Sequence, residues 1–111
     1  MIHRMHLKDS PFDKIKHGKK TIELRLYDEK RKKISVGDII EFEKDDEKLS
    51  ARVVRLHLFS SFAQLYENLP LEKCGYSEKE LEGASYTDME QYYSPDEQKN
   101  FGVVGIEFVL I

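Results

Sequence analysis

Glu23 and Arg25 stand two residues apart in the run Gly18-Lys19-Lys20-Thr21-Ile22-Glu23-Leu24-Arg25-Leu26-Tyr27-Asp28-Glu29-Lys30-Arg31. On a strand that spacing puts both on one face, roughly 6.5–7 Å apart along the chain. Their side chains can therefore converge on each other or on one ligand. Arginine offers a planar fork of donors to a phosphate or a base edge. Glutamate can accept from an exocyclic amine or act as a general base. Lys20, just ahead of the strand, is a flexible cation within reach of a phosphate. The same pattern equally describes a surface ion pair on a solvated strand, which contributes little. Tyrosines are the second ingredient. Tyr27 lies beside the charged run, and Tyr86, Tyr92 and Tyr93 cluster in a helical stretch. Unpaired bases are commonly held by stacking on such rings, although tyrosines at helical spacing also serve as half-buried packing residues.

Other chemistries find little support. His3 and His6 are an odd number of residues apart, so on a strand they face opposite ways and would not share a metal. His57 sits between Leu56 and Leu58 and reads as a packed or surface histidine, and Cys74 has no histidine near it in sequence. Zinc-ligand spacing, a phosphate-binding P-loop, a Gly-rich dinucleotide motif and a nucleophile elbow are all missing. Neither a metal nor a cofactor is expected.

The elements that must position these residues follow from pattern. Ile2 to Leu7 reads as a short edge strand. Ser10-Pro11-Phe12-Asp13 predicts a helix over 11–17, with Ser10 as the N-cap and Gly18 as the stop, and with Phe12 and Ile15 inward. From Lys20 to Leu26 the alternation is clean: Ile22, Leu24 and Leu26 face one way, Thr21, Glu23 and Arg25 the other. Asp28 to Lys33 is a charged turn or helical loop. Val36-Gly37-Asp38 leads into a strand at 39–44, and Asp45-Asp46-Glu47 reads as a hairpin into a long strand from Leu49 to about Leu58. Residues 61–100 read as short helices. Ser61 caps the first, Pro70 ends it, and Ser77–Glu80, Thr87–Glu90 and Ser94–Glu97 carry capping signals. The segment from Gly102 to Ile111 is a buried-looking strand rich in β-branched residues. Strands with helices inserted suggest an α+β fold, and so small a sheet shelters its edges best by curling into a barrel.

At 111 residues, 40% hydrophobic and 35% charged, the composition suits one soluble domain spanning 1–111. No apolar run reaches the roughly 20 residues needed to cross a bilayer, and the first residues lack the apolar stretch of a signal peptide. The one cysteine has no partner for an internal disulfide, which fits a cytoplasmic protein. The net charge of −3 argues against a general nucleic-acid binder. Its distribution does not: residues 1–34 carry 11 Lys/Arg against 5 Asp/Glu, and residues 35–111 carry 7 against 16. Such polarity can present one basic patch to a phosphate backbone, unless the halves interleave in space and average it away.

The order of features resembles the ASCH family. The resemblance runs through Gly-Lys-Lys-Thr-Ile-Glu-Leu-Arg-Leu at 18–26, Ser-Val-Gly-Asp-Ile-Ile-Glu-Phe at 35–42 and Phe-Ser-Ser-Phe at 59–62. It closes with Tyr-Tyr-Ser-Pro-Asp-Glu at 92–97 and Gly-Val-Val-Gly-Ile-Glu-Phe at 102–108. It implies a PUA-like, five- to six-stranded, mostly antiparallel β-barrel with short flanking helices. It also implies RNA or a nucleotide as partner, in a cleft lined by Lys20, Glu23 and Arg25, with Lys19, Arg31, Tyr27, Tyr86 and Tyr93 as further contacts. One branch of the family resembles amidohydrolases that deacetylate N4-acetylcytidine with a lysine, a threonine three residues later and a glutamate from the helical region. Lys20 matches that lysine, but Glu23 stands at the threonine position, and Glu72 and Glu78 are only nearby candidates for the third residue. The obvious nucleophile is therefore lost, while a Lys20–Glu23 pair could still activate water. Some members are also linked to RNA cleavage. Three readings stand: a binder of RNA or a nucleotide, a small hydrolase of the amidohydrolase or ribonuclease type, and a protein-interaction domain using the acidic helical half. An open basic groove favours the first, a closed nucleoside-sized pocket the second, and a neutral or acidic cleft beside an exposed apolar patch the third.

Overall fold

The two-residue turn Asp45-Asp46 folds β3 (Ile39–Lys44) back on β4 (Glu47–Phe59), pairing Lys44 with Glu47 in antiparallel register. In the computed structural model, which describes residues 1–111, this hairpin is the middle of a five-stranded sheet. β1 (Ile2–His6) lies parallel to β3. The C-terminal strand β5 (Val103–Leu110) lies antiparallel between β4 and β2 (Ile22–Leu26), so the order is β1-β3-β4-β5-β2. Three of the four pairings are antiparallel, and the apolar β5 takes an interior position where both of its edges are bonded. The sheet curls into a half-barrel whose two end strands, β1 and β2, flank an open seam. The fold is α+β and PUA-like.

Two cores lie on opposite faces. The larger comprises 12 buried residues and holds Phe12 and Ile15 of helix α1 (Asp9–Lys16) together with Ile40, Phe42, Val53, Val104, Ile106 and Phe108. The smaller comprises seven, among them Ile22, Leu24, Leu26 and Val103 from the sheet and Phe62 and Leu65 from α2 (Phe62–Asn68). A bulge between Val53 and Arg55 re-phases β4. Ala51 and Val53 face the larger core before it, and Leu56 does so after it, while Phe59 turns to the smaller core. An extra residue of this kind bends its strand and increases local twist, which helps the sheet to curl.

Helix boundaries show which capping signals operate. Ser61 accepts from the Gln64 N–H, and Ser94 with Glu97 forms a full capping box at α3 (Pro95–Phe101). Ser77 and Glu80 exchange the same pair of bonds ahead of a 3-10 turn at Glu80–Gly83. Two expectations shift. α1 starts at Asp9 with Lys8 as its uncapped N-cap, so Ser10 is already helical. Ser85, with Asp88, caps the 3-10 segment Tyr86–Gln91, and Thr87 lies inside it. At the 3-10 segment the capping chemistry operates two residues earlier than expected, and at α1 no side chain caps the helix. Gly102 ends α3 with a φ of 72°, which allows the chain to reverse directly into β5.

Candidate functional site

Cross-strand register decides where Glu23 and Arg25 point. Glu23 pairs with Ile106 and Arg25 with Val104, both residues of the larger core, so the charged pair lies on that face of the sheet. Ile22, Leu24 and Leu26 take the opposite face, under α2. Both sides of β2 are therefore covered, and Glu23 is only 4% exposed. The cover at its start is the segment after Pro70: the Lys73 carbonyl accepts from the N–H groups of Thr21 and Ile22 at 2.8 and 3.0 Å. Gly75 follows with a φ of 109°, and a Cβ there would lie 3.1 Å from Lys20 Cδ. The glycine thus serves both a left-handed backbone and the passage of the lysine stem.

The Glu23 carboxylate is clasped from both sides. Lys20 Nζ lies 2.7 Å from Oε1, and Arg25 donates to Oε2 from Nη2 at 2.8 Å and from Nε at 3.1 Å. Burial pushes the Glu23 pKa up, but Lys20 and Arg25 outweigh it and hold the carboxyl below the usual carboxylate range. Burial works against the Arg25 charge as well, and Glu23, followed by Tyr93, more than restores it. Arg25 uses its side-on Nε/Nη2 edge for this bond, and the Tyr93 hydroxyl also lies close to the guanidinium.

These three residues form part of the floor of a cleft of about 470 Å3. Tyr66, Tyr76, Tyr92 and Tyr93 contribute to its walls, and His6, Lys8 and Lys14 stand on the side of β1 and α1. Tyr93 is held from behind by Phe62, stacked at a centroid distance of 5.9 Å. Tyr76 donates to Asp88 Oδ2 at 2.7 Å and shares a 2.7 Å bond with the Tyr66 hydroxyl. Burial raises the pKa of Tyr66 to about 12 and drives that of Tyr76 upward as well, so both phenols stay protonated. Lys14 ties the far wall to α1, donating to the Gly75 carbonyl at 2.6 Å and to Glu80 Oε1 at 2.9 Å. Cys74 also lines the cleft, and burial pushes its thiol up to about 12.

The structure thus brings Lys20, Glu23, Arg25 and Tyr93 together and leaves four expected contacts outside. Lys19 is exposed and does not line the cleft, and neither does Tyr86. Tyr27 packs against the larger core, and Arg31 lines a separate hollow beside β1. Tyr66, Tyr76, Lys8 and Lys14 lacked any motif. They reach the cleft through tertiary contacts, which no local pattern records.

Acid should loosen this wall. Glu80 is lowered to about 2 by the Ser77 backbone N–H and then by Lys14 and the Ser77 hydroxyl. A carboxyl with a depressed folded-state pKa adds stability above its ordinary value and loses it as pH falls through the folded value. Thermal stability should therefore decline from pH 4.5 toward about 2, and Glu80→Gln should flatten that decline. Equal slopes for the two proteins would show that the ionised Glu80 carboxylate adds nothing.

No curated protein matches the chain. Two solved structures share its fold along its whole length. The crystal structure of the hypothetical protein PH0355 is 38% identical, with a TM-score of 0.85 and all of both chains covered. The solution structure of PF0455 from Pyrococcus furiosus is 35% identical, with a TM-score of 0.78, covering 100% of this chain and 98% of that one. The sequence model of the ASCH domain matches residues 5–111, and with the half-barrel and its cleft in view, the chain belongs to the ASCH domain family.

Proposed function

We propose that the cleft binds a nucleotide or a nucleotide unit of RNA, with Arg25 and Lys20 facing phosphate and a tyrosine face holding the base. The observation that carries this reading is the clasped carboxylate. Glu23 has a cation on each oxygen and a lowered pKa, so it is a poor general base. It is well placed, however, to fix the orientation of two cations, and preorganised cations lose little freedom when they take up an anion. Four Lys/Arg line the cleft against three acids, a slight basic excess. The volume falls in the range of small-molecule sites.

Hydrolysis is the weaker alternative. The threonine hydroxyl used by the deacetylating branch is replaced by the buried Glu23, and the Cys74 thiol, at about 12, is too weakly acidic to supply a thiolate near neutral pH. N4-acetylcytidine incubated with the protein should remain acetylated. Release of acetate that Lys20→Ala abolishes would reverse the ranking.

The direct test is fluorescence titration of labelled nucleotides and short RNA at several salt concentrations. Arg25→Ala should weaken affinity about 10- to 100-fold, the worth of a hydrogen bond to a charged group, with an unchanged circular dichroism spectrum. Glu23 keeps Lys20 as partner in that variant, so folding survives. An affinity indifferent to both salt and Arg25→Ala would sink the reading.

A further inference from the structure

The open seam of the half-barrel carries a second basic hollow, of about 300 Å3, between the start of β1 and the turn after β2. Strand directions explain why it lines up with the cleft. Following the pairings across the sheet, β1 and β2 run antiparallel to each other. The end of β1 therefore faces the start of β2, where the cleft lies, and the start of β1 faces the residues that follow β2. His6, Leu7 and Lys8 belong to the cleft, while Ile2 to Met5 line the second hollow. Its cations are Lys30, Arg31 and Arg4, whose Nε also lies 3.9 Å from carboxylate oxygens of Glu41 and Glu43, and no acid lines the hollow itself. Arg31 Nε is buried and has no hydrogen-bond partner, and the nearest carboxylate, Asp28, is 3.6 Å from Nη1. A buried, unsatisfied guanidinium N–H is costly unless something accepts from it.

Resting on the cleft reading, we propose that the seam is one continuous single-strand RNA site: the cleft takes one nucleotide and the Arg4–Lys30–Arg31 hollow takes a phosphate further along the same strand. The two hollows together hold seven Lys/Arg against three acids, in a protein whose net charge is −3. All seven cations come from residues 1–34, which hold 11 Lys/Arg in all. From His6 back to His3 the strand spans roughly 10 Å, beyond the reach of a mononucleotide seated in the cleft.

Labelled uridylates of one, two, four and eight nucleotides, titrated against the full chain, test this. Affinity should rise at least 10-fold from one to four nucleotides and then level off. Lys30→Glu, at an exposed residue, and Arg31→Ala should each weaken the four-nucleotide ligand 5-fold or more and leave mononucleotide affinity unchanged. Each should also lower the log–log salt slope by about 0.7, the loss of one single-strand phosphate contact. Equal affinity for one and four nucleotides would overturn the second site and leave the cleft reading standing. Oligonucleotide binding weakened by Lys30→Glu but untouched by Arg25→Ala would do the reverse. Deoxyribose oligonucleotides binding equally well would overturn the assignment to RNA in favour of any single strand.

Discussion

Glu23→Ala is expected to destabilise the protein by about 3–5 kcal/mol, the cost of breaking a buried ion cluster by removing one member. The side chains of Lys20 and Arg25 are only 12% and 17% exposed, so water replaces the lost carboxylate only in part, from the cleft side. In a domain of this size that loss lowers the melting temperature by more than about 12 °C. Glu23→Gln keeps the shape and one acceptor oxygen but removes the charge, and should fall between the wild type and Glu23→Ala. Urea unfolding at neutral pH measures both. A loss under about 1 kcal/mol for Glu23→Ala would mean that solvent screens the cluster as it would a surface pair. Acidification should act in the same direction. The Glu23 pKa is lowered in the fold, so its contribution is complete above the ordinary carboxylate value and is lost as pH falls through the folded one. Nucleotide affinity should fall with stability, because Glu23 orients the cations that meet phosphate.

Phe62→Ala separates stability from site architecture. Phe62 is fully buried, anchors α2 in the smaller core and stacks on Tyr93. Removing its ring should cost about 3–5 kcal/mol, and Tyr93 loses the surface that fixes it over Arg25. Phe42, equally buried and packed on Phe108 at 5.0 Å, serves as the control in the other core. Phe42→Ala should cost a similar amount of stability. Measured at a temperature where both variants remain folded, nucleotide affinity should drop for Phe62→Ala and stay near wild type for Phe42→Ala. Equal affinities in the two variants would show that Tyr93 does not depend on the smaller core and is no part of the binding wall.

Some of this was legible from local pattern. β3 is found where Val-Gly-Asp and the alternation after it placed it, and the Asp45-Asp46 turn pairs it with β4. Ser61, Ser77 and Ser94 cap as their spacing to Gln64, Glu80 and Glu97 requires. The Glu23–Arg25 pair shares a face because strand side chains alternate, whatever lies around them. What the strand period could not tell is which face is solvent. Ile22, Leu24 and Leu26 do not mark the inside of the curled sheet; they meet α2, while the charged pair shares the face of the larger core.

Sequence by itself determined the strands, the caps at Ser61, Ser77 and Ser94, the basic first third and the charged pair on β2, because these depend on contacts within a few residues. Tertiary structure alone decided that Glu23 is buried between two cations, that Tyr66 and Tyr76 join Tyr93 over it, and that Tyr27 and Arg31 do not. It decided these because each depends on strand order. The insertion of β5 between β4 and β2, and the parallel pairing of β1 with β3, leave β1 and β2 as the two edges of the seam. Nothing in the spacing of residues along the chain encodes which distant edges a curling sheet brings face to face.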